Sequence, residues 1–164
     1  MEFPPKHRTA RSLTPGRYET LGATVTPEGV NFALFSRDAR EVFLLLFDAP
    51  GGEPTDVIRI ENRTKFVWHV LVRGLRAGQL YGFQVLGDHD PARGLRFNGR
   101  KLLIDPYAKA LSGKASGRDN LLLAYDAGSQ WRDLSLDERD DAAFVPKAIV
   151  VDDEWAVTPG KRAY

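Results

Sequence analysis

The chain has 164 residues, 43% of them apolar, which is enough to bury a core and favours one domain with extensions over two domains. Its 23 Lys and Arg stand against 22 Asp and Glu, so the broad positive field of a nucleic-acid binder is missing and no nucleic-acid partner is expected. No cysteine occurs, which rules out disulfides and thiolate metal sites, and no apolar run approaches the ~20 residues that cross a bilayer, so no membrane partner is expected and a cytoplasmic location is the default.

The chain opens "MEFPPKHRTARSL", with charges and prolines where a secretory signal needs an apolar stretch. Lys6, His7, Arg8, Arg11 and Arg17 make residues 1–17 basic, and this part is expected to be a flexible, solvated arm. Beyond it, apolar residues recur with period two or in short β-branched and aromatic runs bounded by Gly, Pro and Asp. That pattern predicts strands over 21–26, 30–36, 41–47, 57–61, 66–72 and 80–87. Pro27-Glu28-Gly29 reads as a tight reversal, Ala49-Pro50-Gly51-Gly52 as a looser loop, and Arg76-Ala77-Gly78 as a turn needing positive φ. Short strands at this spacing predict an all-β fold, an antiparallel immunoglobulin-like sandwich over 18–111.

After Tyr107 the character changes. Residues 108–111 suit a helical turn, "SGKASGRDN" is a Gly/Ser loop, and "WRDLSLDERDDAAF" is acidic and weakly periodic. One more strand-like run covers 148–151. Residues 112–164 therefore read as an irregular extension that needs something to pack on.

The search for chemistry finds no catalytic constellation and no cofactor site. The acids cluster in turns and in "DERDD", Asp137 to Asp141, which reads as a solvated face rather than the paired carboxylates of a glycosidase cleft. His7, His69 and His89 lack zinc spacing, and "GDHDP" lacks the ligand ladder of a calcium loop, so no metal is expected. "SGKAS" lacks the upstream glycine of a phosphate loop, and no serine sits in a nucleophile elbow.

Three stretches carry a resemblance. "LGATVTPEGVNFALFSRDAREVFLLLFD" (21–48), "VWHVLVRGLRAGQLYGFQVLG" (67–87) and "RFNGRKLLIDPYAKAL" (96–111) resemble, in the same order, the N-terminal region of bacterial glycogen-debranching enzymes and isoamylases of the α-amylase superfamily. "VPKAIVVDD" (145–153) resembles the strand by which those enzymes enter their catalytic (β/α)₈ barrel. The resemblance implies an isoamylase-type carbohydrate-binding module with an immunoglobulin-like sandwich. It also implies that 96–111 runs toward the barrel, so Phe97, Asn98, Lys101, Leu102, Leu103, Asp105 and Tyr107 become candidates for an interdomain seam. Gly99-Arg100 departs from the Pro-Asn such enzymes would carry there, which touches the turn rather than the segment.

The barrel itself takes about 250 residues. Only about 50 follow the sandwich, and the superfamily's barrel motifs are missing. Three readings stay open: the noncatalytic N-terminal domain of a debranching α-1,6-glucosidase, partnered by a barrel in cis or on a separate chain; a freestanding α-glucan-binding module; and a sandwich that binds protein. Glycan-binding relatives stack two tryptophans on sugar. Here the 48–56 loop has no aromatic and the second position is His89, so any α-glucan contact is expected to be weak. Trp68 and His89 are the candidate glycan contacts, with core packing the competing reading for Trp68. Trp131 and Trp155 are expected to anchor the extension, and Tyr81, Phe83 and Val85 to face the core.

Overall fold

In the run from Gly29 to Phe35, Val30, Phe32 and Leu34 share one face and point into the core, while the smaller Asn31 and Ala33 on the other face are buried as well. The computed structural model describes residues 3–117 and 120–152. In chain order its strands are β1 (Leu13–Thr14), β2 (Gly22–Thr26), β3 (Gly29–Phe35), β4 (Glu41–Phe47), β5 (Asp56–Arg59), β6 (Asn62–Thr64), β7 (Val67–Arg73), β8 (Leu80–Leu86), β9 (His89–Asp90), β10 (Leu95–Arg96), β11 (Ala110–Leu111) and β12 (Ala148–Ile149). Two single 3₁₀ turns, Pro91–Arg93 and Arg132–Leu134, are the only helical elements among the described residues.

The strands form two antiparallel sheets and a small ribbon. One sheet runs β1-β7-β3-β2, with β6 also paired to β7; the other runs β11-β12-β8-β4-β5; β9 and β10 form the ribbon. Between the sheets lie Val30, Phe32 and Leu34, Trp68, Val70 and Val72 of the first and Val42, Leu44, Leu46, Tyr81, Phe83 and Val85 of the second. The two layers make the immunoglobulin-like β-sandwich that the strand spacing implies. Tyr81 meets Phe32 and Phe83 edge-on, with ring centroids 5.0 and 5.9 Å away.

β4 carries large apolar side chains on both faces. Its second face, Phe43, Leu45 and Phe47, is buried as well, under Leu102 and Ala142. A strand covered on both sides reads as a continuous apolar run, which is why "EVFLLLF" does. The cover comes from the 96–111 stretch through Leu102 and from the extension through Ala142, so the second sheet is the middle layer of the molecule near that face.

All six predicted strands are present, with ends shifted by a residue or two. Gly78 takes φ +92 in the 76–78 turn, as expected there. Four expectations need correction. Residues 1–17 were expected to be a solvated arm, yet Arg8 exchanges two backbone hydrogen bonds with Val57 (2.8 and 2.9 Å) and Leu13–Thr14 pairs with β7. Arg11 also ion-pairs with Asp56 at 3.0 Å, which anchors the arm to β5. Residues 108–111 hold β11 instead of a helical turn, because Ala110 and Leu111 find a partner in β12. Phe66 lies in the two-residue turn between β6 and β7, where Lys65 and Phe66 take φ +49 and +66, and its ring is exposed. Finally, "DERDD" is not wholly solvated: Asp137 and Asp141 are buried at 4% and 2% exposure.

Candidate functional site

The stretch 96–111 leaves the ribbon, crosses the outer side of the second sheet and touches its edge. Leu103 exchanges backbone hydrogen bonds with Phe83 (2.9 and 2.7 Å), a single bridge that continues the line of β12 along β8. Around that bridge the candidate seam residues divide into two groups.

Asn98, Lys101 and Leu102 face the chain's own extension. The Asn98 amide donates to the carbonyls of Ala124 (2.9 Å) and Asp137 (2.7 Å). The Lys101 ammonium donates to the carbonyls of Leu121 (2.7 Å) and Arg139 (3.0 Å) and stands 3.4 Å from the Asp137 carboxylate. Leu102 sets its side chain over Gly82, where a Cβ would come within 2.9 Å of its methyl, and its backbone N–H donates to Asp141 Oδ1 at 2.8 Å. These three are therefore not an open seam. Burial of Lys101 and of both acids is tolerable because each finds a partner.

The two acids titrate in opposite directions. Arg139 grips Asp137 through Nε (3.0 Å) and a terminal nitrogen (2.7 Å), and this pairing, with help from Lys101, holds the carboxyl at about 2. Burial pushes the Asp141 carboxyl up, opposed by the Leu102 N–H and the nearby Lys101 charge.

Asp105 is buried too. It accepts from the Tyr81 hydroxyl and from the Tyr107 N–H, both at 2.8 Å. By contrast Leu103 and Tyr107 are 45% and 53% exposed, and Phe97 is half-buried against the main core. Leu111, at 47%, is exposed as well.

The two candidate glycan contacts lie apart, Trp68 in β7 of the first sheet and His89 in the ribbon. Trp68 is 7% exposed, donates Nε1–H to the Ser36 carbonyl (3.1 Å), and has the Arg63 guanidinium 5.1 Å from its ring. It packs in the core and presents no open face for a sugar. His89 lines a groove of about 390 Å³ with Phe3, Phe97, Arg40, Glu41 and Arg100, and its Nε2 lies 3.2 Å from the Leu134 carbonyl. Trp131 is 63% exposed, against the anchoring expected of it, while Trp155 lies outside the described residues. Among the described residues no group of His, Asp or Glu is placed to hold a metal, and no helix is long and apolar enough to cross a membrane.

Residues 20–108 match carbohydrate-binding module 48, the isoamylase N-terminal domain. The chain belongs to this family. The glycogen debranching enzyme of Yersinia pseudotuberculosis serotype IB (strain PB1/+) is 41% identical over 143 residues, covering 87% of this chain and 20% of that protein. That of Serratia proteamaculans (strain 568) is 38% identical over the same shares. The chain thus spans about a fifth of the length of these curated relatives. Among solved structures, the catalytic module of the multi-modular glycogen-degrading pneumococcal virulence factor SpuA, in complex with an inhibitor, aligns with TM-score 0.51 at 25% identity over 85% of this chain and 17% of its own. A pullulanase from Bacillus acidopullulyticus aligns with TM-score 0.53 at 17% identity over 86% and 13%, a likeness of fold.

Lys147 escaped the sequence reading as a site residue. It sits inside the quoted "VPKAIVVDD", where a lysine between proline and an apolar run was the available signal.

Proposed function

We propose that this module is the noncatalytic N-terminal domain of a glycogen-debranching α-1,6-glucosidase, cytoplasmic, which packs on and orients a catalytic (β/α)₈ barrel in cis or on a separate chain. The likeness to the debranching enzymes carries this reading, because at 143 residues it is too long to stop at the 20–108 module and must take in much of the extension. In this reading the seam is the exposed flank of Leu103 and Tyr107. Asp105, locked to Tyr81, holds the flank in place, and Asn98, Lys101 and Leu102 bind the extension that shapes its border.

The test is a binding measurement between this chain and a separately produced barrel region of the Yersinia relative. Association in the micromolar range, weakened at least about tenfold by a Leu103→Asp, Tyr107→Ser double variant, is the expected result, since apolar anchors at the centre of a seam carry most of its affinity. Association unaffected by the double variant would move the seam elsewhere. The chain alone should release no reducing ends from pullulan or glycogen.

A second reading, weak α-glucan contact, draws on the His89 groove. It combines aromatic Phe3 and Phe97 with planar polar groups of Arg100 and Glu138, the mixture that sugar recognition uses. Trp68 takes no part in it.

A further inference from the structure

Lys147 is fully buried, and its ammonium donates to three carbonyls: Pro50 at 2.7 Å, Val145 at 2.6 Å and Ala142. The Phe47 ring covers it with a centroid 4.8 Å away. An ammonium has three donors and no acceptor, so this cage satisfies the group completely. Burial still pushes the amine below the ordinary lysine range, with Asp141 and Asp140 opposing.

The choice of a lysine here needs a reason. An apolar side chain of like volume would fill the space beneath Phe47 without the desolvation cost of a charge, so a buried ammonium is poor evidence of a stability role. What it adds is direction: three short hydrogen bonds that converge on one point hold together segments which apolar contact alone would let slide. The acceptors belong to two places, the β4–β5 loop through Pro50 and the turn ahead of β12 through Ala142 and Val145. The Lys147 backbone adds a third, since its N–H donates to Ser112 Oγ and its carbonyl accepts from the Ser112 N–H, both at 2.9 Å. One residue along, β12 enters the second sheet against β8, and Val150 then exchanges hydrogen bonds with Gln79 (2.9 Å) and Gly78 (2.8 Å).

We propose that Lys147 is a positioning residue, whose caged ammonium ties the β4–β5 loop to the turn before β12 and so sets the direction in which the chain leaves the sandwich. What that direction serves rests on the domain reading above. Whether Lys147 sets it does not, and the two are tested on different samples.

The first measurement uses the wild-type chain labelled with ¹⁵N-lysine. The Lys147 ammonium should appear as a resonance whose hydrogens exchange at least about tenfold more slowly than those of surface lysines, as buried hydrogen-bonded groups do. Fast exchange overturns the cage. The second compares backbone amide exchange in wild type, Lys147→Met and Lys147→Arg. In Lys147→Met, protection at Ser112, Ser116 and Val150 should fall by at least about tenfold while β3 and β7 keep theirs, because local opening is uncoupled from the core. Lys147→Arg should fail to restore it, since a planar fork cannot direct three donors from one nitrogen to three separate carbonyls. Unchanged protection at Ser112 and Val150 overturns the proposal, and so does unfolding or a uniform loss through β3 and β7, which would make Lys147 an ordinary part of the core. Failure of the wild-type chain to bind the barrel, with the expected loss of protection seen in Lys147→Met, would fault the domain reading and leave the Lys147 proposal standing.

Discussion

Tyr81 donates its hydroxyl proton to Asp105 across 2.8 Å, joining the middle of the sandwich core to the stretch that runs out of it. Burial and the facing carboxylate push the phenol above its ordinary range. Burial likewise pushes the Asp105 carboxyl up, opposed by the hydrogen bonds from Tyr107 N–H and Tyr81. The pair therefore fixes where the exposed Tyr107 stands at the cost of holding a carboxylate in the interior.

Tyr81→Phe keeps the ring between Phe32 and Phe83 but strips Asp105 of a donor, and should cost about 1–3 kcal/mol in urea unfolding at pH 7. The pH dependence has a definite sign. A carboxyl with a raised folded pKa contributes stability that is present below its unfolded value, near 3.8, and is lost as pH rises through the folded value. Asp105→Asn does not titrate, so its stability relative to wild type should improve between pH 4 and pH 7. A constant difference across that range would remove Asp105 from the titration.

Asp137 works the other way. Its carboxyl is held at about 2, so its contribution is present above the unfolded value of 3.8 and is lost as pH falls toward 2. Asp137→Asn should be less stable at pH 7 by on the order of 2 kcal/mol, given ~1.4 kcal/mol per pKa unit, and the deficit should shrink as pH approaches 2. A deficit that stays the same at pH 2.5 would mean that packing, not the charge held by Arg139, was lost.

Binding of glycogen or β-cyclodextrin should be weaker than about 1 mM, a level that already needs about 4 kcal/mol. One aromatic ring stacked on a sugar supplies roughly 0.5–1.5 kcal/mol beyond area burial. The buried Trp68 supplies none. Calorimetry on wild type and His89→Ala checks this, and micromolar affinity lost on that substitution would favour a dedicated glucan-binding module.

What was legible in the sequence follows the range of each interaction. Val30, Phe32 and Leu34 show their alternation within seven residues, and the strand and its inward face could be read directly. Leu13–Thr14 and Asn62–Thr64 are too short to show a period, and they exist because β7 offers them partners. The acids 137–141 look like a solvated run because Lys101 and the Leu102 N–H, which make burial tolerable, stand dozens of residues away. Trp68 could be weighed between core and sugar but not decided, since the Ser36 carbonyl that takes its N–H belongs to another strand. The resemblance of 96–111 located the exit path, yet which side chains face the extension and which face outward depends on the bridge between Leu103 and Phe83.

Leu102 and Leu103 are neighbours in sequence with opposite surroundings, and that contrast gives the sharpest test of the seam. Leu102 is 4% exposed, packed with Phe43, Leu45 and Phe47 beneath Ala142, while Leu103 is 45% exposed. Leu102→Asp puts an unpaired charge into that cluster, which should cost several kcal/mol and lower the melting temperature by on the order of 10 °C or unfold the domain. Leu103→Asp should stay within about 1 kcal/mol of wild type and leave the sedimentation profile unchanged, because a substitution at an exposed side chain with no buried partner of its own changes little. Melting curves and sedimentation velocity on both variants read the two outcomes. If Leu102→Asp melts with wild type, the extension does not cover the second sheet in solution and Leu102 returns to the open seam. If Leu103→Asp is as damaging as Leu102→Asp, the flank is core, and the barrel must dock elsewhere.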